Sequence, residues 1–173
     1  TGQQSLATNA SSASGTNSVA MNASSATNTQ SFAVNNSTAS GINSASTNKG
    51  TASGENSIST NISTATGVNS AALNNGNASG EGSVAMNYSK ATGKGSVAIG
   101  LGTIASGEYS LSQGHETRAN NHDSHAEGYG TNASGDQSHT EGIVTTTNGL
   151  ASHAEGQGSI TGTYATAAHA EGS

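Results

Sequence analysis

The chain contains no cysteine, no proline and no tryptophan, and its 173 residues include one phenylalanine and four tyrosines. Without cysteine no disulfide framework can replace a core, and the redox compartment leaves no trace. With aromatics at 3% and apolar residues at 30%, an ordinary globular core is excluded. Burial at about 25 cal/mol per Å² would not offset about 1–2 kcal/mol of backbone entropy per ordered residue. Charge is scarce too: four basic against ten acidic residues give a net charge of −6. There is no basic stripe to neutralise phosphates and no polybasic or amphipathic segment to hold a bilayer surface, so neither nucleic acid nor membrane is expected as a partner. No apolar run approaches the roughly 18 residues of a spanning helix, and no secretion signal is visible. Zero proline beside 24 glycines also argues against a disordered linker, where proline is enriched. Regular stacking must then stand in for a core.

What is present is a repeat. Rows starting at Ser5, Ser18, Ser31, Ser44, Ser57, Ser70, Ser83 and Ser96 are spaced by thirteen residues and read approximately S-x-A-x-N-x-S-x-A-x-G-x-N. From Ser96 the spacing becomes fourteen, through Ser110, Ser124, Ser138 and Ser152, and a sixteen-residue step leads to Ala168. The fifth position is Asn in the short rows (Asn9, Asn22, Asn35, Asn48, Asn61, Asn74, Asn87) and Gly in the later ones (Gly100, Gly114, Gly128, Gly142, Gly156, Gly172). Both residue types tolerate positive φ, which predicts a turn. A second turn is expected where Gly15, Gly41, Gly54, Gly67, Gly80, Gly93, Gly107 and Gly135 recur. Between the turns lie two short stretches with period 2, such as Ser18-Val19-Ala20-Met21 and Ser89-Lys90-Ala91-Thr92. The fold class is therefore all-β, a flattened parallel β-solenoid with two short strands per coil. Residues 1–95 are expected to form coils with Asn turns, continuous with coils with Gly turns over 96–173. The opening Thr1-Gly2-Gln3-Gln4 matches the end of a row and the chain stops partway through one at Ser173, as a segment of a longer fibre would.

Ser96-Val97-Ala98-Ile99-Gly100, followed by Ala105-Ser106-Gly107 and Ser110, closely resembles the fourteen-residue repeat of YadA-like trimeric autotransporter adhesin heads. Ser124-His125-Ala126-Glu127-Gly128, Ser138-His139-Thr140-Glu141-Gly142 and Ser152-His153-Ala154-Glu155-Gly156 resemble the S-H-A-E-G variant found in phage and prophage tail-fibre proteins. The resemblance implies a left-handed parallel β-roll assembled as a parallel homotrimer. It also implies an extracellular place, on a cell surface or a virion fibre, and attachment to a host-surface protein or glycan receptor.

Alternation assigns the faces. Small residues at positions one and three of the first strand, such as Ser18 and Ala20, point inward, and positions two and four point outward. The outward column carries nearly all the bulk: Leu6, Val19, Met21, Phe32, Val34, Ile58, Leu73, Val84, Met86, Val97, Ile99 and Leu111. An apolar stripe of this kind should not face water, which independently predicts an oligomer seam in preference to the alternative, a ligand groove. From Ser124 onward the same two columns become His125 with Glu127, His139 with Glu141, His153 with Glu155 and His169 with Glu171. Three readings compete for this ladder: a hydrogen-bonded polar seam fixing register, metal or anion capture on a three-fold axis, and a solvated outer face. If each His is held near a Glu, its pKa should be raised on folding. His115 and His122 lie off the column and are assigned to surface loops.

The second strand places hydroxyls outward around an inward alanine: Ser12 and Ser14, Ser25 and Thr27, Thr38 and Ser40, Thr51 and Ser53, Thr64 and Thr66. Such an array is a solvated β face or, as an alternative function, an ice- or polysaccharide-binding surface. The Asn-x-Ser/Thr sequons at Asn9, Asn22, Asn61, Asn87 and Asn132 mostly coincide with the turn Asn, whose structural use explains them. No cofactor and no metal set is assigned. Catalysis is not expected, because nearly every notable His has equivalents one coil away whereas an active site is a singular constellation.

Overall fold

The computed structural model describes residues 2–172, so Thr1 and Ser173, the outer ends of the two expected segments, lie outside the described residues. Among the described residues all the regular structure is short parallel strand. Two compact units divide the chain, Thr1–Met86 and Asn87–Ser173.

In the first unit one sheet is built from Leu6–Thr8, Val19–Met21, Phe32–Val34, Ala45–Thr47, Ile58–Thr60, Ala71–Leu73 and Val84–Met86, each pairing with the next. The second sheet takes Ser12–Ala13, Ser25–Ala26, Thr38–Ala39, Thr51–Ala52, Thr64–Ala65 and Asn77–Ala78. Register is fixed at one coil per row, as in Val19↔Phe32 and Thr51↔Thr64, so identical positions stack. In the second unit the corresponding sheets are Val97–Leu101, Leu111–His115, His125–Tyr129, His139–Thr140, His153–Glu155 and His169–Glu171, and Lys90–Ala91, Ile104–Ala105, Arg118–Ala119, Asn132–Ala133, Thr146–Thr147 and Ile160–Thr161. Each unit is thus a parallel β-solenoid. Among the described residues no helix is long and apolar enough to cross a membrane.

The space between the two sheets is filled by Ala and Ser. Ala20, Ala26, Ala33, Ala39, Ala52 and Ala65 are fully buried, and so are Ser18, Ser57 and Ser83. A hydroxyl is affordable there because the backbone supplies its partner: Ser18 Oγ donates to the Gly15 carbonyl at 2.7 Å and Ser57 Oγ to that of Gly54 at 2.7 Å. In the second unit the filling is larger than the Ala and Ser expected from the pattern. Thr103, Thr117, Thr131 and Thr145 stand just before the second strand and are wholly inside.

The turns follow the sequence in one case and depart from it in the other. The fifth-position Asn has positive φ throughout, and the residue after it does too, as in Asn61 (56°) and Ile62 (60°). In the first three longer coils the extra residue is taken up as strand, five residues in Val97–Leu101, Leu111–His115 and His125–Tyr129 where Val84–Met86 has three; the first of them passes through Gly100 at φ 122°, and the left-handed turn falls on Gly102. At the second turn, glycine is used for space. Gly54 has no positive φ; the left-handed residue is Asn56, and a Cβ on Gly54 would lie 2.0 Å from the Gly67 carbonyl oxygen of the next coil.

Candidate functional site

The site is the outer face of the first-strand sheets. In the first unit Leu6 (51% exposed) and Ile58 (50%) stand in solvent, while Val19, Met21, Val34, Leu73, Val84 and Met86 are half-buried by their stacked neighbours. Phe32 is exposed at 38%. In the second unit Val97, Ile99 and Leu111 are half-buried on the same face. A parallel ladder makes such columns unavoidable: position two of one coil lies over position two of the next, as in Leu6↔Val19 and Val97↔Leu111.

The pairing shows that the histidines continue the apolar column of the second unit. Leu111 is opposite His125, His125 opposite His139, His139 opposite His153, and His153 opposite His169. The four imidazoles stack, with centroids 4.6, 4.8 and 5.0 Å apart and ring planes within 22° of parallel. The neighbouring column runs Ile99, Gln113, Glu127, with Glu155 opposite Glu171 farther along. Three of the four imidazoles lean toward the carboxylate of the preceding coil. His139 Nε2 is 3.7 Å from Glu127 Oε1, His153 Nε2 is 3.5 Å from Glu141 Oε1, and His169 Nε2 is 3.1 Å from Glu155 Oε1. His125, which has Gln113 and not a glutamate at the matching position of the coil before it, is 3.8 Å from Glu127 of its own coil. Only the His169–Glu155 contact is a hydrogen bond. The Nε2 atoms of His125, His139 and His153 are shielded from water and have no hydrogen-bond partner. Gln113 was not singled out in the sequence; its carboxamide donates to Glu127, closing the top of the column.

The electrostatics correct one expectation. Burial, and then the neighbouring His139, hold His125 below its ordinary pKa of 6.5, and the opposing pull of Glu127 is weaker. Glu127 is lowered, first by the Gln113 hydrogen bond, and Glu155 is lowered, first by the His169 hydrogen bond. The expected rise therefore fails at His125, because a stack of imidazoles both excludes water and places like charges one coil apart. His122 sits in a turn as expected, 2.9 Å from Asp123. His115 does not lie in a loop; it ends the strand Leu111–His115 and packs edge-on against Tyr129 at 5.1 Å. The extra residue of the longer coil, extending the strand, puts it there.

On the second-strand sheet of the first unit the hydroxyls form two ladders, with Ser12, Ser25, Thr38, Thr51 and Thr64 in register. Ser14, Thr27, Ser40, Ser53 and Thr66 flank them across the buried alanines. Sequence reasoning took the turn asparagines as conformational only. Their carboxamides in fact form a third ladder, Asn9 donating to Asn22, Asn22 to Asn35, Asn35 to Asn48, Asn48 to Asn61 and Asn61 to Asn74 at 2.8–3.1 Å. The signal that could have revealed it was the unbroken recurrence of Asn at one position of a parallel stack.

With this geometry in place, comparison with known families gives one finding. Residues 87–103 and 91–117 match the YadA head domain repeat, in two copies. No curated protein matches the chain. The match falls on the coils at which row length changes from thirteen to fourteen residues, and the parallel solenoid found there is what the resemblance of Ser96–Ser110 implied.

Proposed function

We propose that this chain, which carries the YadA head repeat, is a segment of an extracellular adhesin-type fibre. In this reading it forms a left-handed roll that associates as a parallel homotrimer and displays or spaces a surface for attachment to a host protein or glycan. One observation carries the reading: almost all the bulky apolar side chains of the first-strand sheets stand on the outside, over an interior of Ala, Ser and Thr. A second and third copy applied to that face would remove the exposed apolar columns from water, at about 25 cal/mol per Å² covered. Adhesin heads and tail fibres share the module, and both roles use the same assembly. The fibre itself is assigned no chemical step.

The test is a pair of double variants on opposite faces. Val97→Asp with Ile99→Asp puts like charges into the proposed seam, and light scattering should show the trimer dissociating. Thr51→Asp with Ser53→Asp charges the second-strand face and should leave the mass unchanged. An unchanged mass for the Val97/Ile99 variant would remove this face as the seam.

A further inference from the structure

The His and Glu columns of the second unit contain two groups whose ligand atoms converge within one chain. Glu127, His139 and Glu141 form the first, and Glu141, His153 and Glu155 the second; in each, one atom per residue lies within 4.8 Å of the others. Both groups are half-buried, and they share Glu141.

We propose that these groups bind Zn²⁺, one ion to each, with Glu141 bridging. The distances suit an ion better than a hydrogen bond. His139 Nε2 to Glu127 Oε1 is 3.7 Å and His153 Nε2 to Glu141 Oε1 is 3.5 Å. Both are too long for hydrogen bonds, whose mode is about 2.9–3.0 Å. A tetrahedral ion with ligands at about 2.0–2.1 Å sets them about 3.3–3.4 Å apart, so each pair needs only a few tenths of an ångström of side-chain movement. The state of the ring nitrogens points the same way. The Nε2 atoms of His139 and His153 are shut off from water yet have no hydrogen-bond partner, a deficit that a metal ion would make good. At the end of the stack the pattern breaks: His169 closes to 3.1 Å on Glu155 as a hydrogen bond, and among the described residues no three-residue group forms around it.

Chemistry selects the ion. One imidazole and two carboxylates suit Zn²⁺, whereas Mg²⁺ and Ca²⁺ take oxygen donors in larger coordination shells. Two doubly charged ions against three carboxylates leave a small net charge, and a bridging carboxylate tolerates ions separated by one coil. Water completes each shell. The sites are made within one chain, so the proposal does not depend on trimer formation.

The full chain, stripped with chelator and dialysed, is titrated with Zn²⁺ by calorimetry, and bound metal is counted after gel filtration. The unaltered chain should hold about two Zn²⁺ ions, and Mg²⁺ should give no heat. Glu141→Gln should lose both ions and His139→Gln one of them. A His115→Gln/His122→Gln variant, altered at histidines outside the groups, should keep both. Circular dichroism checks that each variant retains its strands. Independently of any variant, Co²⁺ added to the unaltered chain should give the intense visible absorption of tetrahedral coordination. Fewer than about one ion on the unaltered chain, Zn²⁺ binding unaffected by Glu141→Gln, or a weak octahedral Co²⁺ spectrum would overturn the proposal.

Discussion

Replacing Gly54 with alanine tests whether glycine at the second turn is there for space. A Cβ at Gly54 would sit 2.0 Å from the Gly67 carbonyl oxygen, 2.6 Å from its carbon and 2.9 Å from the Thr66 oxygen, all backbone atoms. No rotamer relieves such a contact, so the coils must part locally by about 1 Å or more. Bonds at risk there include Ser53 N–H to the Ala65 carbonyl at 2.9 Å and the Ser57 Oγ to Gly54 carbonyl contact at 2.7 Å. Weakening two such bonds, each worth about 0.5–1.5 kcal/mol, together with the overpacking, gives a loss of about 2–3 kcal/mol. For a chain of this size that lowers the thermal midpoint by roughly 5–10 °C. Asparagine provides the internal comparison. Asn28 and Asn121 occupy the same place in other coils, and each donates its carboxamide across to the next coil, to the Ser40 carbonyl at 3.2 Å and the Ser134 carbonyl at 2.6 Å. Gly54→Asn should therefore cost less than Gly54→Ala. Melting followed by circular dichroism decides it: a midpoint for Gly54→Ala within about 2 °C of the parent, or an asparagine variant worse than the alanine one, would refute the reasoning.

Three further outcomes are expected. Asn48→Ala removes two rungs of the carboxamide ladder and puts alanine at φ 52°, so it should destabilise by about 1–3 kcal/mol in a melt, whereas Thr51→Ala on the hydroxyl face should cost under about 0.5 kcal/mol. For pH the signs agree. A folded pKa below 6.5 at His125 gives stability that is whole above the unfolded value and falls as pH drops through it, and the lowered Glu127 and Glu155 give stability lost on further acidification. The midpoint should thus decline from pH 8 to pH 5, and His125→Gln should flatten that step; a midpoint rising on acidification would show that partner carboxylates outweigh burial. Thermal hysteresis of the purified chain should be absent, because the Ser and Thr of the hydroxyl ladders are irregularly mixed and Asn77 stacks directly on Thr64. A measurable value would hand the primary role to that face.

Much of this was legible because a parallel stack turns sequence period directly into spatial columns. The inward Ala20 and outward Val19, the left-handed Asn22, and the His125-to-His169 column all follow from counting thirteen or fourteen residues and alternating faces. What was hidden needed distances between coils. Gly54 and Asn22 look alike as turn formers in a list of propensities, yet one is chosen for clearance and the other for φ and a cross-coil hydrogen bond. The pairing of His139, His153 and His169 with the glutamate of the coil before, and not of their own, depends on how the side chains lean along the stack. Likewise the place of His115 depended on where the fourteenth residue was absorbed, which the row spacing alone does not locate.

In the proposed fibre the outward apolar columns are covered by other copies of the chain. The mass of the unaltered chain in solution, measured by light scattering after gel filtration at micromolar concentration, tests it most directly. A trimer should give about 50 kDa, three times the 16.7 kDa of one chain. A stable 16.7 kDa species with its strands intact would contradict it.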